Sequence, residues 1–244
     1  MRASAGPVRW PCCAFVLLLA ACTGGPPAFD DSSQNAGELR QGEVTSALPQ
    51  IGQMLGTHTD CTGALVGLNW VLTAAHCVDY GARDLWVWSG EPWGRFIIQP
   101  EDLSARRTVP IDAYTSFGTA AGADDVALLH LSESVIGLEP LRLRPDQPQD
   151  GEVVQIYGYG AYDCTGADTH GPWDGQKRVY AFTWGQEPRA TCSGDSGGPV
   201  LTDSGIPLVS SGVTYDWGSG QEFTLFGSVW PHYDELQAII DSWQ

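Results

Sequence analysis

The most constraining stretch of this chain is a glycine-rich run around one serine, Thr191-Cys192-Ser193-Gly194-Asp195-Ser196-Gly197-Gly198-Pro199. Glycine adopts backbone shapes that a Cβ forbids, and it lets a substrate backbone come close. A serine hydroxyl becomes a nucleophile only with a base to take its proton and N–H groups to hold the oxyanion. Ser196 is therefore the candidate nucleophile, and the N–H groups of Gly194 and Ser196 are candidates for the oxyanion hole. On its own, such a run would be an ordinary turn.

Two upstream segments carry the partners that such a serine needs. His76 follows the apolar run Trp70-Val71-Leu72-Thr73-Ala74-Ala75, and Asp125 precedes the run Val126-Ala127-Leu128-Leu129. Taken singly, a histidine is more often structural, and an aspartate before a strand is more often a turn residue. Taken together and in order, the three segments resemble the TAAHC, DIALL and GDSGGP blocks of the trypsin/chymotrypsin-like serine peptidases.

The resemblance implies a role for each of these residues. His76 would be the general base and acid, Asp125 would orient and stabilise the imidazolium, and Ser196 would attack the substrate carbonyl. The implied fold is all-β, with two six-stranded antiparallel β-barrels, the active site in the cleft between them and a short C-terminal helix. The implied activity is a serine endopeptidase that cleaves polypeptides through an acyl-enzyme, with no metal and no organic cofactor.

The rest of the sequence agrees with an all-β domain. From residue 47 onward, short apolar runs recur between Gly, Pro and Asp residues, and only the stretch from Tyr233 to Trp243 has helical spacing of its apolar residues. The chain has 244 residues, enough for one domain of this class. Its formal net charge of −17 argues against a nucleic-acid partner, which needs a basic surface. We expect a monomer.

The N-terminus predicts export. Residues 1–21 combine early arginines with a short apolar core and form a signal peptide. The segment Leu19-Ala20-Ala21-Cys22 resembles the lipobox of bacterial lipoproteins, in which the cysteine is acylated. Residues 22–38 would be a lipid-anchored tether or a propeptide, and residues 39–244 the peptidase domain. The expected location is the bacterial cell envelope, with membrane contact only through the lipid. Ordinary secretion after cleavage near Ala21 is the alternative.

Four cysteines remain in the exported chain beyond Cys22, and they indicate two disulfides. Four cysteines allow three pairings. The resemblance implies Cys61–Cys77, which leaves Cys164 with Cys192. In the family, the partner of a cysteine at the place of Cys192 lies downstream, and this chain has no cysteine there.

The residues of the specificity pocket follow only from the resemblance. Ala190, six positions before Ser196, would lie at the pocket base, where an uncharged residue argues against cleavage after Arg or Lys. The segment from Gly212 to Gly218 resembles the strand that pairs with an extended substrate, with one inserted residue. Tyr215, Asp216 and Trp217 are the further pocket candidates, and Asp216 at the rim would restore a preference for basic substrates.

Asp195 has a second implied role, because in the family this aspartate pairs with a new α-amino group that propeptide cleavage creates. The nearest matching start here is Leu39-Arg40-Gln41-Gly42, which implies cleavage after Glu38. In the alternative reading, the N-terminus stays uncut and local N–H groups satisfy Asp195.

Two other functions compete with the endopeptidase. The first is a catalytically silent homologue that acts as a surface binding module, since a fold does not guarantee its chemistry. The second is an esterase that uses the same site. His58, His130, His170 and His232 do not have metal-ligand spacing.

Overall fold

The computed structural model describes residues 42–56, 60–78, 86–87, 93–101, 104–118, 121–162, 164, 171–186, 191–216, 218 and 221–242. For residues 86, 87, 215, 216 and 221 it describes the backbone alone. The predicted signal peptide, Cys22, the tether and the candidate cleavage site at Glu38 lie outside these residues. Ala190 and Trp217 lie outside them too.

The first half of the described chain forms a closed β-barrel. Its strands are β2 (Ile51–Gly56), β3 (Asp60–Gly67), β4 (Trp70–Thr73), β5 (Trp86–Val87), β6 (Gly94–Ile98), β7 (Arg107–Ser116) and β8 (Ala127–Leu131). They pair in the order β5-β7-β6-β2-β3-β4-β8, and a further β7–β8 pairing closes six of them into a ring. Full closure leaves these six strands without an open edge.

The second half forms a six-stranded antiparallel sheet. Its strands are β1 (Glu43–Val44), β9 (Val153–Gly158), β10 (Arg178–Thr183), β11 (Pro199–Thr202), β12 (Gly205–Asp216) and β13 (Gln221–Ser228). The order is β1-β10-β9-β11-β12-β13, so β1, near the start of the described residues, pairs with β10 of the second half. Among the described residues, no hydrogen bonds join the two edge strands, β1 and β13. The predicted all-β fold class is confirmed.

One hydrophobic cluster lies between the two sheets. It contains Trp70 and Leu72 from β4, Leu128 from β8, and Val209 from β12, all fully buried. Alternate residues of a strand face opposite sides, and Val71 and Leu129 accordingly pack in a separate cluster with Phe96. Strands β4 and β8 are thus buried on both faces, which holds the loops at their ends in place.

The chain ends in α1 (Tyr233–Ser242), as the periodicity predicted. Leu236 and Ile240, one helical turn apart, pack into the cluster between the sheets. Asp234 and Glu235 lie in the first turn, where carboxylates interact favourably with the helix dipole. Within the described residues, no helix combines the length and the apolar character that a bilayer-spanning helix requires.

Candidate active site

His76 and Asp125 meet because the strands beside them are paired. Thr73, at the end of β4, lies opposite Ala127, at the start of β8. In an antiparallel pair, the chain leaving one strand and the chain entering the other lie at the same end. His76 lies in a 3₁₀ turn just after β4, and Asp125 lies two residues before β8.

Asp125 is a fully buried carboxylate that binds His76 twice. The His76 backbone N–H donates to Asp125 Oδ1 at 2.8 Å, and His76 Nδ1 lies 2.7 Å from Asp125 Oδ2. A carboxylate only accepts hydrogen bonds, so Nδ1 carries the proton in this contact. A neutral imidazole protonated on Nδ1 has its lone pair on Nε2, the atom that a general base uses.

Ser211 holds the same carboxylate from the second sheet. Its hydroxyl donates to Asp125 Oδ2 at 2.6 Å and accepts the Gly122 N–H at 2.9 Å. Ser211 is the residue at which the β12–β13 register shifts, between Ser210 and Gly212. A bulge of this kind re-aims a side chain. The sequence analysis assigned no role to Ser211, although this residue lies directly before the segment from Gly212 to Gly218 that resembles the substrate-pairing strand.

The loop of residues 191–199, here called the serine loop, packs against the first barrel. The Thr62 N–H of β3 donates to the Ser196 carbonyl at 2.8 Å, and the Gly197 N–H donates to the Ser210 carbonyl at 2.7 Å. Gly197 has φ +79°, and a Cβ there would lie 2.0 Å from Thr73 Oγ1. Only glycine fits this position, because any side chain would both strain the backbone and collide with β4.

Gly194 also needs its glycine. Its φ is +97°, and a Cβ there would lie 2.9 Å from the Gly160 Cα. The Thr62 hydroxyl donates to the Gly194 carbonyl at 2.8 Å. This contact fixes the peptide carbonyl of Gly194 against the first barrel, two residues before the partly buried Ser196.

Asp195 is buried in the loop between Gly194 and Ser196. Its Oδ1 accepts the Gly160 N–H at 2.8 Å, and its Oδ2 accepts the Cys192 N–H at 2.8 Å. Burial raises the pKa of Asp195 to about 7, and the two backbone N–H groups and the Arg178 charge oppose this rise only in part. The carboxyl group is therefore held by local N–H groups in this structure.

The structure contains both disulfides. Cys61 is bonded to Cys77, the residue after His76, and Cys164 is bonded to Cys192 in the serine loop. His76 lies beside the first bridge, but the two sulfur atoms bond to each other and are not the thiolates that a metal requires. Two disulfides fit an extracellular protein.

The pocket candidates are only partly described. Tyr215 and Asp216 end β12, opposite Glu222 and Gln221 of β13, and their side chains lie outside the described part of the structure. Ala190 and Trp217 also lie outside it.

Comparisons with known proteins agree with this fold. Residues 41–231 match the family model described as Trypsin. Human kallikrein-10 is 25% identical over 225 residues, which cover 79% of this chain and 78% of kallikrein-10. Human chymotrypsin-like elastase family member 1 is 29% identical over 168 residues, which cover 59% of this chain and 64% of the elastase.

A solved structure has the same fold. The mouse-brain serine protease neuropsin superposes with a TM-score of 0.61 at 17% identity, covering 81% of this chain and 97% of neuropsin. The chain belongs to the trypsin family and is a serine endopeptidase.

Proposed function

We propose that this endopeptidase cleaves peptide bonds with Ser196 as nucleophile, His76 as base and acid, and Asp125 as the residue that orients His76. The observation that carries the proposal is the buried Asp125, which accepts hydrogen bonds from His76 of the first barrel and from Ser211 of the second sheet. This arrangement keeps the His76 ring in one orientation, with its Nε2 lone pair available to a proton donor.

The reaction has two matched halves. Ser196 Oγ attacks the carbonyl carbon while His76 Nε2 takes its proton, and the oxyanion is bound by the N–H groups of Gly194 and Ser196. The protonated His76 then donates to the leaving amine, and the C–N bond breaks to give an acyl ester on Ser196. A water molecule repeats the sequence, with His76 again as base, and releases the carboxylic acid.

A serine-directed phosphonofluoridate tests the nucleophile. We expect the intact mass to increase by one phosphonyl group on Ser196, and we expect no increase in Ser196→Ala or His76→Ala. If the folded, N-terminally processed protein forms no adduct, the silent binding module becomes the better description. An esterase on the same site would be labelled but would leave peptide substrates uncut.

The side chain before the cut is proposed to be small or apolar. Ala190 carries no charge for an Arg or Lys, and burying a cation without a partner costs several kcal/mol. Asp216 is the rival source of charge, at the rim. A peptide-library cleavage profile of the wild type and Asp216→Ala decides between them: dominant cleavage after Arg or Lys that disappears in Asp216→Ala would overturn the assignment to Ala190.

The mature protein is proposed to be attached to a membrane through an acylated Cys22. The segment Leu19-Ala20-Ala21-Cys22 supports this, and two or three acyl chains attach a protein far more firmly than one. Cys22→Ser should abolish the lipid-dependent processing and move the protein from the membrane fraction to the soluble one. Unchanged processing and unchanged partition of that variant would mean ordinary secretion.

A further inference from the structure

A small cleft lies next to the serine loop, and we call it the leaving-side pocket. Its volume is about 150 Å³, and it is lined by Asp60, Ala161, Gly171, Trp173, Ser193 and Gly194. An apolar cavity of about this size holds a benzene molecule, so the pocket has room for one side chain.

The pocket brings Asp60 of the first barrel together with residues of the second half, including Ser193 and Gly194 of the serine loop. Asp60 begins β3 and precedes Cys61, whose disulfide leads to Cys77 directly after His76. Strand β12, with Ser211, lies on the other side of the loop, through Ser210 and Gly197. Because His76 gives its proton to the leaving amine, the part of the substrate that departs lies towards His76 and this pocket.

Two of the other lining residues, Trp173 and Ala161, are held by hydrogen bonds. The Trp173 indole N–H donates to the Tyr159 carbonyl, and the Ala161 N–H donates to the Ser193 carbonyl at 2.9 Å. With its N–H bound in this way, the Trp173 side chain remains 49% exposed. A large aromatic surface therefore faces solvent beside the serine loop.

Among the described residues that line the pocket, one is charged, and its charge is negative. Asp60 is the charged residue among its lining residues, and within the described part of the chain no lysine or arginine forms an ion pair with it. The nearby Arg178 is already paired with both carboxylate oxygens of Asp174, at 3.0 and 2.6 Å. A carboxylate beside an indole ring is the combination that attracts an ammonium or guanidinium group.

We propose that the leaving-side pocket receives a lysine or arginine side chain of the substrate from the carboxyl side of the cleaved bond, with Asp60 and Trp173 as specificity-determining residues. This inference rests on the proposed acyl-enzyme function. It concerns the departing half of the substrate and is independent of the side chain before the cut, which Ala190 and Asp216 govern.

Transfer of the acyl group to an added amine measures recognition of the departing half of the substrate alone. A p-nitrophenyl ester forms the same acyl-enzyme in every reaction, and an added amine then competes with water for the acyl group. The amines are arginine amide and alanyl-arginine amide, which cover the first and second positions after the cut. The neutral controls are glutamine amide and alanyl-glutamine amide. The ratio of amide product to hydrolysis product gives the capture efficiency of each amine.

In the wild type, we expect at least one arginine amine to be captured about five to twenty times more efficiently than its glutamine counterpart, equivalent to about 1–2 kcal/mol. Asp60→Asn should reduce this ratio to below about two. Asp203→Asn is the matched control, because it removes the same charge from the β11–β12 turn, away from the pocket. It should leave the ratio unchanged. Trp173→Leu should lower the ratio without removing it.

The outcomes separate this inference from the proposed function. If p-nitrophenol is released no faster than by Ser196→Ala, no acyl-enzyme forms on Ser196 and the proposed function fails. Release that depends on Ser196, with equal capture of arginine and glutamine amines, overturns the leaving-side pocket alone. A preference that survives Asp60→Asn, or that Asp203→Asn lowers equally, also overturns it, since the long-range field of the acidic protein would then be the cause.

Discussion

Asp125 is a buried carboxylate whose desolvation is offset by hydrogen bonds from three donors: the His76 N–H, the His76 ring and the Ser211 hydroxyl. Hydrogen bonds to a charged group contribute more than neutral ones, about 1.5–3 kcal/mol each. The Ser211 bond is the one that comes from the other half of the molecule. It therefore couples the orientation of His76 to the position of β12.

Ser211→Ala should lower kcat about tenfold or more, with a smaller change in KM. The Asp125 carboxylate loses one donor, and the His76 ring loses part of its restraint. Ser210→Ala is the matched control, because Ser210 is the preceding residue and its hydroxyl is buried without a hydrogen-bond partner among the described residues. Steady-state kinetics on one peptide substrate compares the two variants. Equal effects of both substitutions would contradict the role of Ser211.

Asp195 predicts an unusual pH dependence of stability in the uncut chain. Its pKa rises from the ordinary 3.8 to about 7 on burial, so the folded state binds more protons than the unfolded state between these values. Stability attributable to Asp195 is therefore present below about pH 4, falls as the pH rises towards 7, and changes no further above that. The total change is at most about 4 kcal/mol.

Urea titrations from pH 4 to 8 measure this change, with Asp195→Asn as the reference and Ser196→Ala in both proteins to prevent self-cleavage. The protein with Asp195 should lose stability relative to the Asp195→Asn protein as the pH rises. Gained stability over the same range in the uncut chain would contradict the raised pKa that burial gives Asp195. Gained stability only in a chain that starts at Leu39 would support pairing of Asp195 with the new amino group.

At the scale of elements, the serine loop depends on close contact with strands of the other half. Gly197 touches β4 and β3, since a Cβ there would lie 2.0 Å from Thr73 Oγ1 and 2.4 Å from the Thr62 carbonyl oxygen. The same strand β4 leads into His76. The loop that carries the nucleophile and the turn that carries the base therefore share one support.

Gly197→Ala should destabilise the fold by several kcal/mol and abolish most of the activity. Gly151→Ala is the matched control, because Gly151 has a similar φ of +86° and nothing within 4 Å of its Cβ position. The stability of the control should fall only by the cost of an alanine in the left-handed conformation, about 1–2 kcal/mol. Thermal unfolding and kcat/KM distinguish the two. A tolerated Gly197→Ala would mean that the loop does not rest on β4.

At the scale of the whole molecule, the candidate site is made at the junction of the two sheets. The first barrel supplies His76 and Asp125, and the second half supplies Ser196 and Ser211. The two disulfides lie on either side of this junction, Cys61–Cys77 beside His76 and Cys164–Cys192 beside Asp195. Each therefore stabilises the fold and braces one part of the site.

Reduction of the disulfides should lower stability by roughly 3–4 kcal/mol each, since they close loops of 16 and 28 residues. Loss of Cys164–Cys192 should also lower activity, because the Cys192 N–H binds Asp195. The double variant Cys164→Ser/Cys192→Ser, compared with Cys61→Ser/Cys77→Ser by urea unfolding and phosphonofluoridate labelling, separates these effects. Full labelling rates in the former would show that the bridge is not needed for the serine loop.

Local patterns in the sequence were enough for the class of fold and for the C-terminal helix, because both depend on residue types and short spacings. The choice of His76, Asp125 and Ser196 as candidates rested on the resemblance of three short segments to the blocks of the trypsin/chymotrypsin-like serine peptidases. The family resemblance also indicated the Cys61–Cys77 disulfide, which left Cys164 as the partner of Cys192, and the structure contains both bridges.

Other features were decided only by the tertiary structure. Strand β1 pairs with β10 across more than a hundred residues, the β12 bulge turns Ser211 towards Asp125, and Asp60 and Trp173 come together at one cleft. Each depends on the register between distant strands. Shifting that register by one residue reverses the face on which a side chain lies, and nothing in the local sequence around Ser211 or Asp60 specifies which strand will lie opposite.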